Sequence, residues 1–171
     1  MVVFKRLKTC FSFLFFLFAS ASTYANTYAG GIFSYTSAEY NVDGTSASEG
    51  KPWVLQAQVG HFFNDYFALE GRYGVSTGRS GGISIDSLAS ILAKGNLPIT
   101  EQTAMYALFG GSTAKLDQQN VASSTESGMS FGLGAHYAFS RNSAVTIEYL
   151  SSLNTNKAKV GGVNLAFQYR F

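Results

Sequence analysis

Large apolar residues recur at every second position over much of this chain. The closing stretch shows it most plainly: Val163, Leu165, Phe167, Tyr169 and Phe171 alternate with Asn164, Ala166, Gln168 and Arg170. A period of two puts one set on each face of a β-strand. The same rhythm, interrupted by polar turn-like stretches, predicts eight strands: 27–36, 52–62, 66–76, 85–97, 103–114, 127–139, 144–152 and a C-terminal one from about 160. Strand 127–139 sets Met129, Phe131, Leu133, Ala135, Tyr137 and Phe139 against Gly128, Ser130, Gly132, Gly134 and His136. Strand 66–76 sets Phe67, Leu69, Tyr73 and Val75 against Glu70, Arg72 and Gly74. Strand 103–114 leaves its polarity open, with Tyr106 and Leu108 on one face and Met105, Ala107 and Phe109 on the other. Residues 87–94 also fit a helix, because so short a window does not separate the two periods.

The connections alternate in length. Those at 63–65, 98–102 and 140–143 are short; those at 37–51, 77–84, 115–126 and 153–159 are longer. Short periplasmic turns and long outer loops are the asymmetry of an up-and-down membrane barrel. Strands of roughly ten residues match the span of tilted transmembrane strands. A soluble lipocalin-like barrel would bury its apolar face and need a more charged exterior than 13% Asp, Glu, Lys and Arg can supply. The expectation is therefore an all-β, eight-stranded antiparallel up-and-down transmembrane barrel. Tyr28, Trp53, Tyr66, Tyr137, Tyr149 and Tyr169 fall near strand ends, the depth where amphipathic rings meet headgroups. β-propensity alone would also explain them.

The N-terminus supplies the address. Lys5, Arg6 and Lys8 precede the apolar run 11–18, and small residues follow to Ala25. These are the three regions of a secretory signal peptide. The run is far short of the ~20 residues of a spanning helix. Cleavage fits after Ala21 or Ala25, and the more usual spacer favours Ala25, giving a signal peptide 1–25 and a barrel domain 26–171. Cys10, the single cysteine, leaves with the signal, so no disulfide framework is expected. The remainder carries nine basic and ten acidic residues, a net charge of −1. That balance excludes a broad attraction to nucleic acid.

Several segments together carry a family resemblance: Tyr28-Ala-Gly-Gly, the stretch 88–100, Tyr106-Ala-Leu-Phe-Gly, Gly132-Leu-Gly-Ala and the Tyr169-Arg-Phe end. With them the chain resembles the small outer-membrane β-barrels of the OmpA/OmpX type, often called porin-family proteins. The resemblance implies an outer-membrane location and no single biochemical activity. It also implies that Gly162, Leu165, Phe167, Tyr169 and Phe171 form the signal read by the barrel-assembly machinery. Outer-membrane lipids and lipopolysaccharide are the expected surroundings, and a monomer the expected state.

The polar faces would enclose Glu70, Arg72, Lys94, His136, Glu148 and Arg170. Eight strands leave an interior that side chains fill. Charges there must be paired, since an isolated buried ion is very costly. A network is expected in which Glu70 and Glu148 bridge Arg72, Lys94 and Arg170. No catalytic residue, cofactor or metal site is expected: two separated histidines and no mature cysteine make no zinc site. Lipid A deacylation by a barrel of the family this chain resembles needs His-x-Ser on a lipid-facing strand, with a Glu to orient the imidazole. Here His136 is followed two residues on by Ala138, and His61 by Phe63. The expected function is a structural or surface-interaction role with a plugged lumen, outer loops 37–51 and 115–126 carrying any surface ligand. A narrow passive pore is the alternative; the missing His-x-Ser argues against a lipid A-modifying enzyme.

Overall fold

A computed structural model describes residues 26–40, 48–81, 83–118, 123–155 and 158–171. The expected signal peptide, its cleavage points and Cys10 lie outside the described residues. Among these residues the chain forms nine strands: β1 (Thr27–Tyr40), β2 (Ser48–Gly50), β3 (Trp53–Asn64), β4 (Phe67–Ser76), β5 (Ile83–Pro98), β6 (Thr103–Gln118), β7 (Ser124–Ala138), β8 (Ser143–Asn154) and β9 (Ala158–Arg170). From β3 onward each strand pairs antiparallel with the next, and β1 pairs with both β3 and β9, which closes the sheet. β2 lies on the same edge of β1 as β3 and continues it beyond a break at Lys51 and Pro52. The break falls where proline offers no N–H to the ladder, while Thr36 N still donates to Pro52 O at 3.3 Å. The result is a closed eight-stave antiparallel barrel, as the alternation predicts.

Exposure follows the period of two. Leu69, Tyr73, Ile91, Leu133, Ile147 and Leu165 point out, while Gln56, Glu70, Arg72, Ser90, Glu148 and Asn164 point in. The open polarity of strand 103–114 is resolved: Tyr106 and Leu108 are inward, Met105 and Phe109 outward. Residues 87–94 lie within β5 and are not helical. The three short turns are each closed by a side chain. Asn64 Oδ1 accepts from Tyr66 N at 2.9 Å. Thr100 Oγ1 accepts from Gln102 N and Thr103 N, and Ser140 Oγ from Asn142 N and Ser143 N. Such local acceptors are what make Asn, Ser and Thr turn residues.

The outer connections are shorter than expected. Strand structure runs on to Tyr40 and resumes at Ser48, and runs on to Gln118 and resumes at Ser124. The physical reason is that the alternation inverts rather than stops. On β1, Ser37 and Glu39 are exposed and Ala38 is buried; on β6, Lys115 is exposed while Ala114 and Leu116 are buried; on β9, Lys159 is exposed between buried Ala158 and Val160. Above the hydrocarbon layer the exterior meets water and takes polar residues, so the interior there takes the apolar ones. Two bulges reinforce this. The extra residue between Ile85 and Ser87 turns Ile85 inward, and the one between Ser151 and Leu153 turns Leu153 inward. Ala38, Val54, Ile85, Leu88, Ala114, Leu116, Leu153, Ala158 and Val160 form one buried cluster that fills the outer end of the lumen.

Candidate functional site

Below that plug the interior mixes a second apolar cluster, Leu92, Leu108 and Leu150 around Tyr106, with a polar network that starts from two matching rows across the sheet. Tyr28 on β1, Gly60 on β3 and Glu70 on β4 are register partners in sequence. Tyr106 on β6, Gly134 on β7 and Glu148 on β8 form the same row on the opposite wall. In each row the tyrosine lies across the glycine and its hydroxyl reaches the carboxylate one strand further. A Cβ on Gly60 would stand within the Tyr28 ring, and one on Gly134 would lie 2.5 Å from Tyr106 Cζ. Only glycine leaves room for this crossing. Tyr28 Oη donates to Glu70 Oε2, and Tyr106 Oη donates to Glu148 Oε2 at 2.7 Å.

Arg72 joins the two walls. Its Nε donates to Glu70 Oε1 at 2.5 Å, its Nη1 to Glu148 Oε1, and its Nη2 to Glu148 Oε2 at 3.0 Å. Asn164 Nδ2 adds a fourth bond to Glu148, at 2.8 Å to Oε1. Glu148 thus uses about all four of its lone-pair sites. Lys94 Nζ lies 3.8 Å from Glu70 Oε2, 4.1 Å from the Tyr106 ring centre and 5.4 Å from that of Tyr28. Glu70 and Glu148 face Arg72 and Lys94, so the formal charges of the buried cluster balance, the condition under which such charges are tolerated. From the row of Arg72 a hydroxyl ladder climbs the wall: Ser90 Oγ to Ser112 Oγ at 2.6 Å, Ser112 to Ser130 at 2.6 Å, and Ser130 to Ser152 O at 2.7 Å.

The structure brings together Glu70, Arg72, Lys94 and Glu148 but not the other two residues expected in the lumen network. Arg170 is exposed at the short-turn end, donating to Asn26 Oδ1 at 2.8 Å and lying 5.3 Å from the Phe62 ring. It is the last residue of β9, so its side chain clears the wall and bends around the rim. His136 is half-buried and lines a polar cavity at that same end. Tyr28 also departs from expectation: it is buried at 1% exposure and belongs to the network, not to the headgroup girdle. Its parity with Ile32 and Ser34, both inward, is the signal in the sequence that places it there. Tyr106 and Asn164 are likewise network members that the list of charged residues omits. Of the tail residues, Leu165, Phe167 and Tyr169 face outward; Gly162 is crossed closely by the β1 backbone, where a Cβ would lie 2.8 Å from Thr36 Cα. Phe171 packs against Tyr169 at 5.4 Å between ring centres.

An apolar exterior, with exposed Tyr66, Tyr137 and Tyr169 toward the short-turn end, around a charge-matched interior defines an outer-membrane β-barrel. The family model for the outer membrane protein beta-barrel domain matches residues 11–171, and the chain belongs to that family. Solved structures agree in fold. Ail, the attachment invasion locus protein of Yersinia pestis, is 20% identical over 85% of this chain and 99% of its own, with a TM-score of 0.56. Neisserial surface protein A is 13% identical over 85% of this chain and 97% of its own, at 0.61. The N-terminal β-barrel domain of Pseudomonas aeruginosa OprF is 14% identical over 82% of this chain and 97% of its own, at 0.55. No curated protein matches the chain significantly.

Proposed function

We propose that this outer-membrane barrel is a closed scaffold with a structural or surface-interaction role. One observation carries the reading: two different barriers stand in series within the lumen. The charge-matched Arg72 cluster fills the middle, and the nine-residue apolar cluster fills the outer end. A solute would have to displace both, and neither barrier offers it hydration. That weighs against a passive pore. Planar-bilayer recording tests it directly: a large, steady open conductance from the folded protein would overturn the reading.

Surface specificity then falls to the parts that stand above the apolar band. β5 and β6 have 16 residues each, where a tilted span needs about 9–11. Their outer ends, with Lys115, Asp117 and the Arg79–Asp117 ion pair, extend the wall from which the outer connections start. Within the segments 37–51 and 115–126 the contact surface is narrower than the sequence alone suggests, since much of each belongs to strands. Ail has been solved with a heparin analogue, sucrose octasulfate. The described outer rim here mixes Lys51, Arg79, Lys115 and Lys159 with Glu39, Asp86, Asp117 and Glu126, so a polyanion is not the ligand its charge favours. Replacing both outer segments and finding adhesion and phage sensitivity unchanged would remove the interaction role and leave the structural one.

No enzymatic role is part of this proposal. Glu70 and Glu148 are spent on Arg72 and a tyrosine each, with neither orienting an imidazole. Acyl loss from lipopolysaccharide incubated with the folded protein would reverse that. Residues 1–25 are read as the export signal and the β9 tail as the segment handed to the assembly machinery.

A further inference from the structure

The barrel's two ends are not alike. The outer end is filled by apolar side chains, whereas the short-turn end opens into a cavity of about 610 Å³. Short turns mark the periplasmic side. The cavity's inner wall includes the Tyr28 ring, behind which stands the Arg72 cluster, so it is a blind cup. Its size falls within the range of about 300–1,000 Å³ of small-molecule sites. We propose that this cup binds a saccharide on the periplasmic side. The inference rests on the closed-lumen reading, because an open barrel would have no blind end.

The chemistry of the lining selects the class. Asn96 and Gln102 bring amides, which donate and accept at once, as sugar hydroxyls do, and Gln168 lies beside them with part of its amide held by His136. Asn96 Oδ1 is buried behind the cup wall and has no hydrogen-bond partner among the described residues, so a small turn of its amide toward the cup would gain it one. Tyr66 brings aromatic surface to the same cavity, suited to the apolar C–H face of a pyranose, while the Phe62 ring beside it is packed against Tyr28 and Arg170. The charged groups at the cup, Asp65 and Glu101 against Arg141 and Arg170, balance in number, which favours a neutral polyol over an ion of either sign. His136 lines the same wall and is hydrogen-bonded to Gln168, which holds that amide in place.

Two sources share this chemistry, free saccharides and the glycan strands of the cell wall, and one experiment separates them. The folded protein in nanodiscs, labelled on side-chain amides, is titrated by NMR with maltose and with chitobiose at millimolar concentration. In parallel it is co-sedimented in detergent with purified, protein-free cell-wall sacculi. Shifts confined to Asn96, Gln102 and Gln168 support the cup with a free saccharide. Co-sedimentation without such shifts supports it with wall glycan, provided that the variants abolish it. Asn96→Ala and Gln102→Ala are each expected to weaken binding about tenfold. Gln102 lies in an exposed turn, so its variant keeps the test usable even if Asn96→Ala folds poorly. Neither shifts nor co-sedimentation, or binding that survives both substitutions, overturns the proposal. Conductance of the same preparation is recorded separately, so a failure of the closed-lumen reading is distinguishable from a failure of the cup.

Discussion

Tyr28 reaches Glu70 by lying across Gly60, and the two partners are 42 positions apart, the same separation as between Tyr106 and Glu148 on the opposite wall. Each contact depends on a glycine in the intervening strand. Gly60→Ala and Gly134→Ala would push the rings away from their carboxylates. The expected cost is about 1–3 kcal/mol each, as for other overpacked sites. Tyr28→Phe keeps the ring but strands a Glu70 oxygen, for about 1–3 kcal/mol. Urea titration of folding into lipid vesicles measures all three. Alanine at both glycines with unchanged stability would show that the rings do not rely on that gap.

Arg72 binds Glu148 through both terminal nitrogens, and both side chains are almost fully buried. Breaking such a pair leaves an uncompensated charge, so Glu148→Ala is expected to destabilise the barrel by about 3–5 kcal/mol. Removing the whole set is a different matter. A variant with Glu70, Arg72, Lys94 and Glu148 all replaced by apolar residues of similar volume is expected to lose far less than the sum of the single changes, since no desolvated charge remains. Parallel unfolding of the single and combined variants decides this.

The barriers in series make a prediction about conduction. Arg72→Ala disrupts the middle of the lumen but leaves the apolar cluster around Leu116 and Leu153 untouched. It is expected to stay non-conducting. Adding Leu116→Ser and Leu153→Ser to Arg72→Ala is expected to produce measurable current, because only then are both barriers breached. Conductance from Arg72→Ala alone would place the closure in the charge cluster and make the apolar plug incidental.

The membrane-embedded part of this fold is legible in the sequence because one rule dominates there: apolar residues face lipid on alternate positions, and the inward positions between them carry polar groups, glycines and a few leucines such as Leu92, Leu108 and Leu150. The same rule fails at the outer ends. Ser37, Glu39, Lys115 and Lys159 read as loop residues when apolar side chains are expected outside, yet they are strand residues facing water. The signal was present in Ala38, Leu116 and Val160, the apolar partners on the inner face. The charged core was also only half legible. Parity assigns Glu70, Arg72, Lys94 and Glu148 to the interior, but depth along the strand decides which of them meet. Arg170 has the right parity and the wrong depth. The tyrosine–glycine crossings need the register of three strands at once, which no single segment of sequence specifies.

The tail makes a kinetic prediction rather than a thermodynamic one. Phe171 follows the last residue of β9, donating N–H to Thr27 O at 3.0 Å and packing on Tyr169. If Gly162, Leu165, Phe167, Tyr169 and Phe171 serve as an assembly signal, deleting Phe171 should lower the amount of heat-modifiable barrel in the outer membrane of cells. Spontaneous refolding of the same variant into detergent or vesicles should change little. Equal losses in both settings would make Phe171 a packing residue and nothing more.

The inversion of polarity along β1 and β9 also fixes where the hydrocarbon layer ends, and that border is testable residue by residue. Leu165 lies outward near the middle of β9, paired with Phe33 and Ile147, both outward and apolar. Arginine there is expected to cost about 2–4 kcal/mol, the depth-dependent penalty at the midplane. Ser37, outward on the same side of the barrel but beyond Tyr35, should accept arginine for about 0–1 kcal/mol. Spin labels give a second reading: Leu133 and Leu165 should report bilayer, and Gln168, buried in the wall's inner face, should be shielded from lipid. A uniform penalty for arginine at both sites would mean the apolar band is taller than the inverted pattern allows, and β1 and β9 would then be lipid-covered to their outer ends.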